Sequence, residues 1–140
     1  MESDDVLLSK SAIIERCLNR IQEEYAKCPE LDNFTHVDAL TLNIERACQA
    51  AIDMANHIVA KKRLGVPRSS SHSFLLLAQH QIISADLAQS LGKMAGFRNI
   101  AVHSYQELDQ AILSVVAEQG FNDFIYFCLA LGIHINPKRY

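Results

Sequence analysis

The chain has no tryptophan, only five glycines and three prolines in 140 residues. An all-β fold needs a turn every ten residues or so, and glycine and proline build most turns. Their scarcity points to helices instead. Positive charge is also lacking: the net charge is −3 and the pI is near 6.0. A protein that coats nucleic acid by charge alone is strongly basic. That mode is excluded, so any contact with nucleic acid must come from a local patch. No apolar run is long enough to span a bilayer, so no membrane partner is expected. The start "MESDDVLLSK" is acidic, whereas a secretory signal has a basic stretch followed by an apolar one. The cysteines at 17, 28, 48 and 128 form no C-x-x-C pair and match no zinc spacing. They read as reduced thiols in a cytoplasmic protein, three of them serving as small apolar residues inside helices.

What is present is an ordinary globular balance, 49% hydrophobic and 21% charged. The length suits one domain, residues 1–140, able to bury a core without metals or disulfides. Apolar spacing then predicts five helices. The first runs from about Asp4 to Lys27, with Leu7, Ile14, Leu18, Ile21 and Tyr25 on one face and two aspartates in its first turn. The second runs from about His36 to Arg63. Val37, Leu40, Ile44, Ala47, Ala51, Met54 and Ile58 form its seam against another helix, in this chain or in a second copy. Thr35 is its expected N-cap, and Gly65 with Pro67 is expected to close it. Lys61, Lys62 and Arg63 complement the negative end of its dipole. Together with Arg68 they are also candidates for a peripheral RNA contact.

A short helix is expected from about Ser73 to Gln81, and a fourth after Ser84, over "SADLAQSLGKMAGFRNIAVH". Gly92 and Gly96 inside it suggest a close backbone approach. The last helix is expected from about Gln106 or Leu108 to Gly132, interrupted near Gly120, with "HINPKRY" as a polar tail. Short connections make this an all-α, antiparallel helical bundle. Among the scattered titratable residues, His57 is expected to be a satisfied core or interface histidine, and His72 and His80 to be exposed.

The end of the fourth helix is the chemically dense stretch. "FRNIAVHSY" holds Arg98, Asn99, His103 and Tyr105. Five residues along a helix advance about 140° and 7.5 Å, so Arg98 and His103 flank a groove rather than stack. Asn99 is four residues before His103 and shares its face. Imidazole exchanges protons near neutral pH, so His103 can be a general acid or base. Arginine stays charged and its fork matches phosphate oxygens. A base beside a phosphate clamp is what RNA cleavage by its own 2′-hydroxyl requires, with no metal needed. No carboxylate or histidine cluster has metal-ligand spacing. A bare Arg-x4-His pair arises by chance roughly 0.3 times in such a composition, and with the tyrosine about 0.01 times, so the triple carries the signal.

"GFRNIAVHSY" resembles the Arg-x4-His-x-Tyr signature of the HepT-like branch of the HEPN superfamily. The helix "NIERACQAAIDMANHIVAKKRLGVP" and the order of long and short helices are similar too, from about Leu7 to Tyr126. The resemblance implies a two-fold homodimer whose motifs face each other across a shared cleft. It implies a metal-independent ribonuclease toxin, needing no cofactor, with Arg98 and His103 as the catalytic pair and Asn99 in support. It also implies a partner, an MNT-type nucleotidyltransferase antitoxin, that places AMP on Tyr105. The rival readings are a non-catalytic HEPN nucleotide-binding or accessory module, and a purely structural helical dimer. Retention of both Arg98 and His103 favours the enzyme.

Overall fold

A computed structural model describes residues 4–27, 33–103 and 116–137; for Phe34 and residues 97–103 it describes the backbone alone. The described residues form helices and no strand. They are α1 (Asp5–Lys27), α2 (Phe34–Lys61), α3 (Ser70–Gln79), α4 (Ala85–His103) and α5 (Phe121–Ala130). A π-helical turn at Val116–Gly120 leads straight into α5.

The first two helices form because their apolar residues fall on one stripe, and burial of that stripe holds them together. Ile14, Leu18 and Ile21 of α1 are buried, as are Leu40, Ile44, Ala47, Ala51, Met54 and Ile58 of α2. The seam read from the sequence is thus packed within the chain, where α1 and α2 make the most extensive helix pair. Side-chain pairs fix their antiparallel sense at both ends. At one end Asp4 Oδ2 takes His57 Nε2 at 2.8 Å and Lys61 Nζ at 3.0 Å. At the other, His36 Nδ1 donates to the buried Glu24 carboxylate at 2.5 Å, which also accepts from Arg20 at 2.8 Å. His57 is therefore a satisfied, half-buried histidine, and its hydrogen bond holds the Asp4 carboxyl well below the usual carboxylate range.

Several boundaries differ from expectation. Asn33, not Thr35, caps α2: its side chain accepts from the backbone N–H groups of Thr35 and His36. Replacing Asn33 by alanine should cost about 1 kcal/mol in chemical denaturation, while Thr35→Ala should be near neutral. Equal effects would show that the cap is wrongly placed. At its other end α2 stops before Gly65, where Arg63 takes a left-handed φ of 55°. The third helix begins at Ser70 rather than Ser73, capped by the Ser69 side chain on the His72 N–H. Ser84 caps α4 as expected, accepting from the Leu87 N–H at 3.1 Å.

The aromatic part of the core lies between α5 and the other helices. Phe74, Phe121, Phe124 and Phe127 are almost wholly buried. The Phe74 and Phe127 rings meet edge to face, 5.6 Å apart at 81°. Cys17, Cys48 and Cys128 are buried free thiols, and burial pushes the Cys128 thiol up to about 12, as an apolar packing role requires. Cys28 lies outside the described residues. The tail is not merely polar: Ile135 and Pro137 are buried, and the Asn136 N–H donates to Glu15 at 2.7 Å. That bond anchors the tail on α1.

Candidate active site

The catalytic candidates sit at the end of α4. Its backbone stays helical through His103, so Arg98, Asn99 and His103 occupy its last two turns. Helical geometry separates Arg98 and His103 by about 7.5 Å along the axis. Tyr105 lies outside the described residues.

Three contacts seat this helix. Leu91, Met94 and Ala95 are buried along one stripe. The Cys48 thiol of α2 lies 3.6 Å from the Met94 carbonyl oxygen, which fixes the level of α4 against α2. From the other side comes the π-helical turn. A Cβ at Gly120 would stand 2.9 Å from Met94 Sδ, so glycine lets the turn close on α4 one helical turn before Arg98. The turn is itself held by α1: Tyr25 Oη donates to Glu118 at 2.8 Å and Gln22 Nε2 to the Ala117 carbonyl at 3.5 Å. The Ser71 hydroxyl donates to the Gly92 carbonyl at 3.4 Å, but a Cβ at Gly92 would stand an ordinary 3.6 Å from Ser71, and a Cβ at Gly96 would meet nothing within 4 Å. The close backbone approach expected at Gly92 and Gly96 is therefore found at neither; it is Gly120 that needs the space.

The basic candidates lie elsewhere. Lys61, Lys62, Arg63 and Arg68 are all exposed, at and just after the end of α2. Lys61 and Lys62 line a cleft of about 650 Å³ with Ile58, Ile82, Leu129 and Ile133. Ile82 lies three residues before the first residue of α4, so this patch lies near the start of α4, while Arg98 and His103 lie at its end. A helix of 19 residues is about 28 Å long, so patch and motif are a bundle length apart. The cleft is likewise remote from the motif. Lys61 spends its charge on Asp4, and Asp53 pairs with Lys10 at 3.0 Å. His72 Nδ1 accepts the Arg68 N–H at 3.0 Å, which leaves that ring half-buried rather than exposed; His80 is exposed as expected. Among the described residues no three His, Cys, Asp or Glu side chains are grouped so as to hold a metal ion, and no helix is long and apolar enough to cross a membrane.

The sequence does not announce the Glu24–His36 pair. Its members are 12 residues apart across a helix break, which no helical spacing connects. Nor did it single out the buried Thr41 hydroxyl of α2, because a threonine in an apolar stripe passes for a small packing residue.

An all-α bundle with an arginine, an asparagine and a histidine on the last two turns of one continuous helix is the arrangement that the HEPN resemblance implies. The chain belongs to the Ribonuclease HepT-like family, whose family model matches residues 12–131. It is 45% identical over 125 residues to an mRNA nuclease HepT of Shewanella oneidensis, covering 89% of this chain and 94% of that protein. A tRNA nuclease HepT of Aphanizomenon flos-aquae matches a shorter stretch, 36% identical over 61 residues, 44% of this chain and 42% of that protein. Among solved structures, the tri-AMPylated Shewanella oneidensis HEPN toxin in complex with MNT antitoxin superposes with a TM-score of 0.88 at 43% identity, covering 93% of this chain and 98% of that one. A toxin–antitoxin crystal structure with AMP-PNP also gives a TM-score of 0.88, at 42% identity, covering 92% of this chain and 98% of that one.

Proposed function

We propose that this chain is the endoribonuclease toxin of a toxin–antitoxin pair, works as a two-fold homodimer in the cytoplasm, and cleaves RNA without a metal. The observation that carries the reading is the Arg98–His103 spacing on one continuous helix of a HepT-like chain. In the reaction, the His103 imidazole of one copy takes the proton of an RNA 2′-hydroxyl. The 2′-oxygen attacks the adjacent phosphorus, and the bond from phosphorus to the 5′-oxygen breaks. His103 of the partner subunit supplies the proton to that leaving oxygen. One imidazole cannot be base and acid in the same step, which is why two copies are needed. Arg98 offsets the charge that builds on the phosphoryl oxygens, and Asn99 supports it. The products are a 2′,3′-cyclic phosphate and a 5′-hydroxyl.

Silencing follows from charge. An MNT-type nucleotidyltransferase antitoxin adds AMP to Tyr105, two residues beyond His103. Each AMP brings a phosphate into a site built for an RNA phosphate and excludes substrate by charge and bulk. Lys62, Arg63 and Arg68 would touch RNA only at a distance from the scissile bond.

The test is RNA cleavage by the purified chain in EDTA, with its intact mass measured on the same sample. Cleavage at unmodified mass, ending in a cyclic phosphate, is expected. A mass raised by AMP units with no cleavage calls for protein made without the antitoxin. Unmodified mass with no cleavage would overturn the reading in favour of a non-catalytic module.

A further inference from the structure

Gly120 is a glycine that its own backbone does not require. It joins the π-helical turn to α5 with φ −59° and ψ −32°, a right-handed helical conformation open to any residue. In that setting glycine weakens a helix relative to alanine, because it loses more freedom on folding and adds no side chain. A buried glycine at such a junction calls for another reason. The reason is space. A Cβ at this position would stand 2.9 Å from Met94 Sδ and 3.3 Å from Val116 Cγ1.

That space matters because of what Met94 carries. Among the described residues, Met94 and Ala95 are the last buried positions of α4 before Arg98. In the α-helical ladder the Met94 carbonyl accepts the Arg98 backbone N–H, so a displacement of Met94 passes to Arg98 and on to His103. The Met94 side chain has little room to yield. It shares with Cys48, Phe74, Leu91 and Phe124 a crevice too narrow to admit water. The turn on the other side of the contact is anchored as well. Ala117 is wholly buried, and α1 holds the turn through Tyr25 on Glu118 and Gln22 on the Ala117 carbonyl. Single π-helical turns are rare, and many of them lie at functional sites.

We infer that Gly120 is a positioning residue for the active site: by leaving its Cβ space empty it lets the π-helical turn seat Met94, and so sets where the backbone of α4 carries Arg98 and His103. Gly120 is buried and touches no RNA itself. The inference rests on the assignment of Arg98 and His103 as the reacting pair.

Gly120→Ala adds one methyl group. Its gain in helix propensity and its crowding of Met94 oppose each other, so the melting temperature should stay within about 5 °C of the wild type. Cleavage in EDTA well below that temperature should nevertheless lose about tenfold in kcat, with KM within about twofold, because a small shift of α4 misplaces the reacting groups. Met94→Val removes the δ atom that the new methyl meets. Gly120→Ala combined with Met94→Val should therefore cleave faster than Gly120→Ala alone. A merely structural glycine would move the melting temperature and leave kcat alone. A wild-type kcat in Gly120→Ala, or a double variant no faster than Gly120→Ala, overturns the inference. If Gly120→Ala does not fold, Tyr25→Phe takes its place, since it frees the turn from α1 without adding an atom to the core. About threefold lower kcat at unchanged KM is then expected, and a wild-type kcat overturns the inference. His103→Ala separates the two levels. Full cleavage by His103→Ala refutes the site assignment itself, whereas an inactive His103→Ala beside a fully active Gly120→Ala refutes the role of Gly120 alone.

Discussion

His103→Ala should lower RNA cleavage in EDTA by about 10²- to 10⁴-fold, the range a positioned general acid or base contributes. The proposed mechanism uses the imidazole twice, once from each copy, and the substitution removes both. The fold should survive, because His103 is the last residue of α4 and the core of that helix lies earlier, at Leu91, Met94 and Ala95. Thermal unfolding within a few degrees of the wild type would confirm that the loss is chemical. Arg98→Ala should cost about 10²- to 10³-fold by withdrawing charge from the phosphoryl oxygens. The pH profile tells the two apart: Arg98→Ala should keep the imidazole limb near neutral pH, and His103→Ala should abolish it. A His103→Ala protein that cleaves at half the wild-type rate would refute the mechanism.

Phe127→Ala should be the most destabilising simple truncation, at about 3–5 kcal/mol. The ring is 0% exposed and stacks edge to face on Phe74, and Phe121 and Phe124 are buried alongside it. The cost combines lost apolar burial, an unfilled cavity and the aromatic pair. A domain of this size has a total stability of about 5–15 kcal/mol, so about a fifth or more of it would go, and the melting temperature should fall on the order of 10–20 °C. Phe127→Leu, which refills most of the space, should recover over half of the loss. A Phe127→Ala loss below about 1 kcal/mol in urea would mean that the neighbours collapse into the gap.

The helices that bury one stripe were legible because their spacing repeats over many turns. Leu40 to Ile58 on α2 kept a three–four rhythm over five turns, and burial followed it residue by residue. The motif was legible because its three residues are local to one helix. Features set by single contacts were harder to read. Asn33 and Thr35 are both good caps, and the choice depends on which backbone N–H groups face the side chain. The run of serines before α3 favours a cap at each position, so local propensity could not choose Ser69 over its neighbours. Ile135 alternates with polar residues in a short tail, and only docking against α1 explains its burial. The Glu24–His36 pair depends on how separate helices align, information that no single periodic pattern contains.

The continuity of α4 has a consequence for control. Arg98, Asn99 and His103 are carried on one unbroken ruler, whose marks are fixed by 1.5 Å per residue. An effector cannot spread or close these groups without melting the helix. In the proposed homodimer the adjustable quantity lies outside the ruler, in how a second ruler is set against it. An inhibitor of such a dimer would have two physical routes: to fill the space between the two copies, or to pull them apart.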